Sequence, residues 1–205
     1  MKINGHNKAI SIIVLLISTL VLISCSEEKK PAPQHKATDS GNAISMKADP
    51  VSNSFADHRN KTLNTSPTEL GISIADEKNK VYGVVMEINI QGAVHSVYAF
   101  ENGDAGLFIG TGDGITDKTK DPSVAKAAKA FLKTGRNYLD IAKKATKTPV
   151  PEKEIVKFYL LTNKGIYSGT EVSLNIENNN SKWTSLYDRG SDLLAEFLKK
   201  NPGKL

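Results

Sequence analysis

Cys25 is the only cysteine in this 205-residue chain, so no intramolecular disulfide can form and whatever folds must be held by its own apolar core. The residues able to build such a core begin near Lys80. Val81 to Ile90 places Tyr82, Val84, Met86, Ile88 and Ile90 at alternate positions, the period of a half-buried strand. Gln91-Gly92 reads as a turn, Ala93 to Phe100 as a second strand with Val94, Tyr98 and Phe100 on one side, and Ala105 to Ile109 as a third. Asn102-Gly103 between the last two supplies the positive φ angles of a tight connection.

Asp121-Pro122 is a helix start, an acceptor side chain followed by a residue that has no N–H to satisfy. From Val124 an apolar stripe recurs through Ala128, Phe131, Gly135, Tyr138 and Ala142, so the spacing predicts an amphipathic helix reaching about Lys144. Its opposite face carries Lys126, Lys129, Lys133 and Arg136. Ile155 to Leu161 is expected as a fourth strand and Ile166 to Ile176 as a fifth, interrupted at Gly169. Trp183, Leu186, Tyr187, Leu194 and Phe197 then define a second helix that stops near Lys200, before Pro202-Gly203.

Strand-strand-strand-helix-strand-strand-helix over residues 80–200 predicts one α+β domain, an antiparallel sheet of about five strands covered by two amphipathic helices. That length suffices for a core without crosslinks. The element order is similar to that of roadblock-like and profilin-like sandwiches. The phrases Tyr82 to Glu87, Gly106 to Gly112 and Lys157 to Thr162 resemble a bacterial domain family with no established activity, a resemblance that carries no functional residue with it.

The amino-terminal segment has a different character. Lys2 and Lys8 precede fourteen mostly apolar residues, Ile10 to Ile23, and charged Glu27-Glu28-Lys29-Lys30 follows. At about 1.5 Å per residue this run reaches roughly 21 Å, short of the ~30 Å hydrocarbon core of a bilayer, so it reads as a signal segment rather than a spanning helix. Leu22-Ile23-Ser24-Cys25 resembles the lipobox of bacterial lipoproteins. The resemblance implies cleavage between Ser24 and Cys25, a thioether from the Cys25 sulfur to a diacylglyceryl group, and palmitate-type acylation of the new amino terminus. Two or three acyl chains hold a protein to a membrane stably where one does so marginally. Residues 1–24 are thus expected to be a signal peptide, 25–66 a flexible tether rich in Pro, Ser, Asn and Lys, and 67–79 a transition in which Leu70, Ile72 and Ile74 form an edge strand or a packed arm. Ser26 is not the aspartate associated with inner-membrane retention, which directs the expectation toward an outer membrane facing the periplasm if the cell has two membranes.

Removing Lys2 and Lys8 with the signal leaves 25 basic residues against 22 acidic, a net charge of +3. This is a mild bias toward anionic lipid or wall polymer, not a nucleic-acid signature. Chemistry-bearing constellations are sparse. Gly110-Thr111-Gly112-Asp113-Gly114, lying before a helix, is carried as a candidate ligand-binding loop because exposed amides at a helix start attract anions. Ile115-Thr116 follows it where a phosphate-binding P-loop needs Lys and Ser/Thr. Asp113, Asp117 and Asp121 lack the alternate spacing and closing glutamate of a calcium loop. His95, mid-strand beside Ser96, is expected on the surface, and His35 and His58 as solvated tether residues. No catalytic residue, metal site or cofactor is assigned. The expected role is that of an envelope lipoprotein acting as a non-catalytic binding or adaptor module for an envelope protein or wall polymer. An envelope hydrolase working near Gly110–Gly114 and an immunity-type, toxin-neutralising lipoprotein are the alternatives.

Overall fold

A computed structural model describes residues 52–75, 78–112, 114–118 and 121–202. The expected signal peptide, Cys25 with its Ser24 cleavage partner, the tether up to residue 51, and Asp113 lie outside the described residues.

The α+β class with an antiparallel sheet is what forms. The sheet has seven strands: β1 (Val81–Ile90), β2 (Ala93–Phe100), β3 (Asp104–Ile109), β4 (Gly114–Lys118), β5 (Lys143–Lys144), β6 (Ile155–Thr162) and β7 (Gly165–Val172). Their spatial order is β4-β3-β2-β1-β6-β7-β5, and every neighbouring pair is antiparallel. The described helices are α1 (Ser52–Asn64), α2 (Pro122–Arg136), α3 (Ser173–Glu177) and α4 (Thr184–Lys200). The expected count of five strands and two helices is therefore corrected. The additions are the short strands β4 and β5, the one-turn helix α3, and α1. Among the described residues no helix is long and apolar enough to cross a membrane.

β1 occupies the middle of the sheet and is covered on both faces, not half-buried. Its Val84 and Met86 join Phe131 of α2 and Leu193 and Phe197 of α4 in the larger core. Its Val85 lies on the opposite face with Tyr98, Phe100, Phe108, Tyr159 and Leu161, under Leu63 of α1. Tyr82 also belongs to that second face, against the expected alternation, because the register against β6 slips between Val81 and Gly83. A bulge of this kind inserts one residue and reverses the side-chain sense before it. Leu70, Ile72 and Ile74 pack on the same second face as an arm, the second of the two forms expected for them.

The β1–β2 turn is as expected, with Gln91 at φ 53° and Gly92 at φ 88°, the paired positive values of a two-residue hairpin. Asp121 caps α2, its Oδ1 accepting from Ser123 N at 2.8 Å and Val124 N at 3.3 Å, while Lys200 at the end of α4 sits 2.7 Å from its other oxygen. α2 stops at Arg136, short of the expected Lys144. Tyr138 turns inward and stacks on Trp183 at 5.2 Å between ring centroids, and Lys143-Lys144 goes on to pair with β7. β7 is not broken at Gly169. That glycine leaves room for the indole of Trp183, whose ring carbons a Cβ there would overlap. The fifth strand ends at Val172, and Ser173–Glu177 is helical.

The greatest departure is at the amino-terminal side. Ser52–Asn64 lies inside the stretch expected to be tether, yet it is helical, with Phe55, Arg59, Thr62 and Leu63 turned to the sheet. Their spacing of four, three and one is that of a single helix face. His58 is no free tether side chain either; its ring lies 4.7 Å from that of Phe108 and nearly parallel to it.

Candidate functional site: a braced groove beside a buried ion pair

A carboxylate at the centre of a sheet must find a cation or lose its charge. Glu87, on β1 and 0% exposed, meets the Arg59 guanidinium of α1, itself 6% exposed. Arg59 Nε donates to Oε1 at 2.7 Å and Nη2 to Oε2 at 3.0 Å, the two-pronged geometry that best joins these groups. Ser96 Oγ donates to the same carboxylate at 3.2 Å. Burial works against the charge on Arg59, but the hydrogen bonds and charge of Glu87, helped by Tyr159, outweigh it and hold the guanidinium pKa above its ordinary value.

The cluster reaches outward to the connection between β5 and β6. Arg59 Nη2 also donates to the Thr148 carbonyl at 2.7 Å, and the Tyr159 hydroxyl donates to the Pro149 carbonyl at 2.8 Å. Lys157 Nζ donates to that same carbonyl at 3.1 Å. Three side chains from the helix and sheet thereby pin one short, proline-bearing segment. Between that segment and strands β6 and β7 runs an open groove of about 360 Å³, lined among others by Thr146, Lys147, Lys157, Tyr159, Ser168 and Thr170. No carboxylate is among its lining residues. Lys147 has neither an ion pair nor a hydrogen bond among the described residues. Burial pushes the Tyr159 phenol up to about 12, with the Glu87 charge adding to the rise and Arg59 opposing it, so the hydroxyl stays a donor.

The residues singled out from sequence are placed elsewhere. Gly110, Thr111 and Gly112 form the β3–β4 turn, followed from Gly114 by strand β4. A strand therefore separates this loop from α2, and its amides do not open a helix; the Gly112 carbonyl accepts from Ser54 Oγ at 3.0 Å. His95 is buried, 4% exposed, contrary to the surface position expected. It sits between Ile88 and Ile109 in the ladder, and its Nδ1 lies 3.1 Å from the Ala93 carbonyl. Burial pushes this imidazole below its ordinary 6.5, an effect the Ala93 carbonyl only partly counters. Ser96 faces Glu87 on the other side of the sheet. Among the described residues no hydrogen bond or ion pair joins His95 or the Gly110–Gly112 turn to a carboxylate. On α2, Lys126, Lys129 and Lys133 are exposed, while Arg136 is tied to the Val81 carbonyl and to Glu101.

Arg59, Glu87, Lys147 and Lys157 were not singled out from sequence. Glu87 carried a usable signal, since it is the one charge in the apolar run Val81–Ile90. Arg59 carried a weaker one, standing four residues after Phe55 and four before Leu63.

No family model, no curated protein and no solved structure matches this chain.

Proposed function

We propose that this chain is a lipid-anchored lipoprotein of the bacterial cell envelope whose folded unit is a non-catalytic binding module, with the groove between β7 and the Thr146–Pro149 segment as its binding surface. The anchor rests on Cys25 following Leu22-Ile23-Ser24 behind a run too short to span a bilayer. In a two-membrane cell the unit faces the periplasm from the outer membrane.

The observation that carries the binding reading is the bracing of the groove wall. Arg59, Tyr159 and Lys157 all donate to the carbonyls of Thr148 and Pro149. Preorganisation of this kind lowers the ordering cost of binding. The buried polar groups next to the groove are bonded to one another, which suits support of a surface better than proton transfer.

Photo-crosslinking side chains placed at Thr146 and Ser168 in growing cells test the module, with Lys126 on α2 as the background position. Adducts of defined mass are expected at the groove positions alone. Equal labelling at all three sites, or none, overturns the reading. The anchor is tested by Cys25→Ser, which is expected to abolish incorporation of labelled palmitate; undiminished labelling refutes it.

A further inference from the structure

We infer that the ligand of this groove carries a phosphate ester, a deepening that rests on the binding reading above. The donors on its walls are ammonium and hydroxyl groups. Lys147 is unpartnered among the described residues, and Lys157 spends one of its three N–H bonds on Pro149, leaving two. Ser168 and Thr170 stand at alternate positions of β7, so their side chains leave the same face about 7 Å apart. Thr170 is opposite Lys157 in the β6–β7 ladder, and Ser168 is opposite Tyr159. Side chains directly opposite start about 5 Å apart at Cβ. An ammonium and a hydroxyl from this pair therefore address one small anion.

The choice of phosphate over carboxylate follows from donor shape. The planar fork that matches a carboxylate is the guanidinium of Arg59, and it is already committed to Glu87 and the Thr148 carbonyl. What remains are separate point donors on two walls, which suit a tetrahedral group with oxygens facing several ways. No acidic side chain lines the groove to repel it. At about 360 Å³ the groove exceeds a bare phosphate ion and falls in the range of small-ligand sites, leaving room for the esterified part.

The test uses the full chain labelled with nitrogen-15 in nanodiscs, with inorganic pyrophosphate as the probe. In phosphatidylcholine discs, pyrophosphate is expected to shift the amide resonances of Thr146, Lys147, Ser168 and Thr170 along a saturable curve. Lys147→Gln with Lys157→Gln should bind about a hundredfold more weakly, about tenfold for each lost charge-assisted contact. Lys147→Gln alone touches an exposed, unbonded side chain and serves if the pair perturbs folding. Gln at Lys126, Lys129 and Lys133 together should leave the curve unchanged. A second arm replaces part of the phosphatidylcholine with phosphatidylglycerol. Groove shifts without added pyrophosphate support a lipid headgroup as the source, and their absence beside a saturable pyrophosphate curve supports a free phosphate compound. A non-saturable response, or equal loss in the α2 variant, overturns the phosphate inference. If groove crosslinks persist in that case, the binding module stands and only its ligand class falls. If the crosslinks are missing too, both fall.

Discussion

Arg59 on α1 and Glu87 on β1 are joined by parallel hydrogen bonds of 2.7 and 3.0 Å across a distance of 28 residues in sequence, with both side chains out of solvent. The pair fastens a polar helix to an apolar sheet face, and it does so through the same guanidinium that holds the groove wall at Thr148. Breaking a buried pair from one side leaves a naked charge, whereas replacing both partners removes the desolvation cost as well as the attraction. Arg59→Met is therefore expected to cost about 3–5 kcal/mol of stability in urea denaturation. Arg59→Met combined with Glu87→Leu is expected to recover most of that loss. A single variant no weaker than a surface substitution would refute the role given to the pair.

The same residues show where sequence patterning stops being informative. β2, β3 and β6 were legible as apolar runs bounded by turn residues, although like β1 they are covered on both faces, and α2 and α4 were legible from their amphipathic stripes. In β1 both faces are apolar, so alternation alone concealed that Val85 and Glu87 have their own cover. α1 was unreadable as a packed helix because its inward stripe, Phe55-Arg59-Thr62-Leu63, has a charge at its centre and becomes inward only when Glu87 awaits it. Tertiary pairing, not local propensity, decides that segment. The groove was hidden for a related reason. The segment leading into its wall, up to about Lys144, was expected to be the tail of a helix, and Lys147, Lys157, Ser168 and Thr170 converge only once that helix stops at Arg136 and β5 pairs with β7.

Gly169 and Trp183 make a second test. The indole stacks on Phe158 at 5.1 Å between centroids and on Tyr138 at 5.2 Å, and it occupies the space above Gly169 where a side chain would stand. Gly169→Ala must displace the ring, and overpacking of this sort costs about 1–3 kcal/mol. Trp183 is the only tryptophan in the chain, so its fluorescence reports on the site without ambiguity. The alanine variant is expected to shift emission to the red and lower the midpoint of denaturation together. An unchanged spectrum would mean that the ring is not seated over Gly169.

His95 predicts a loss of stability on the acid side. Its folded pKa lies below the ordinary 6.5 because burial disfavours the imidazolium. The unfolded chain therefore takes up the proton first. The stability this residue contributes is complete above 6.5 and is lost as pH falls through the depressed folded value. His95→Leu, which cannot titrate and sits among Ile88 and Ile109, should flatten the pH dependence of denaturation below 6.5. A slope in that window identical to that of the parent would remove His95 from the account.

On the alkaline side the sign reverses. Tyr98 and Tyr159 are both pushed up to about 12, in each case first by burial and then by a nearby carboxylate, Asp104 for Tyr98 and Glu87 for Tyr159. In the unfolded chain a phenol ionises from about 10, so the unfolded state releases its protons first. Stability is intact below 10 and declines as pH rises toward 12. Ultraviolet titration should show these two tyrosinates appearing late, together with unfolding. Tyr159→Phe removes one late phenol and also the 2.8 Å bond to the Pro149 carbonyl. It is expected to cost about 1 kcal/mol at neutral pH while making the alkaline decline shallower. Because that bond braces the groove, the Ala145 amide, which donates to the Ile166 carbonyl at 2.8 Å beside that wall, should exchange with deuterium faster in this variant than in the parent. Unchanged exchange there would show that Arg59 and Lys157 hold the wall without Tyr159, and would leave the hydroxyl a role in folding alone.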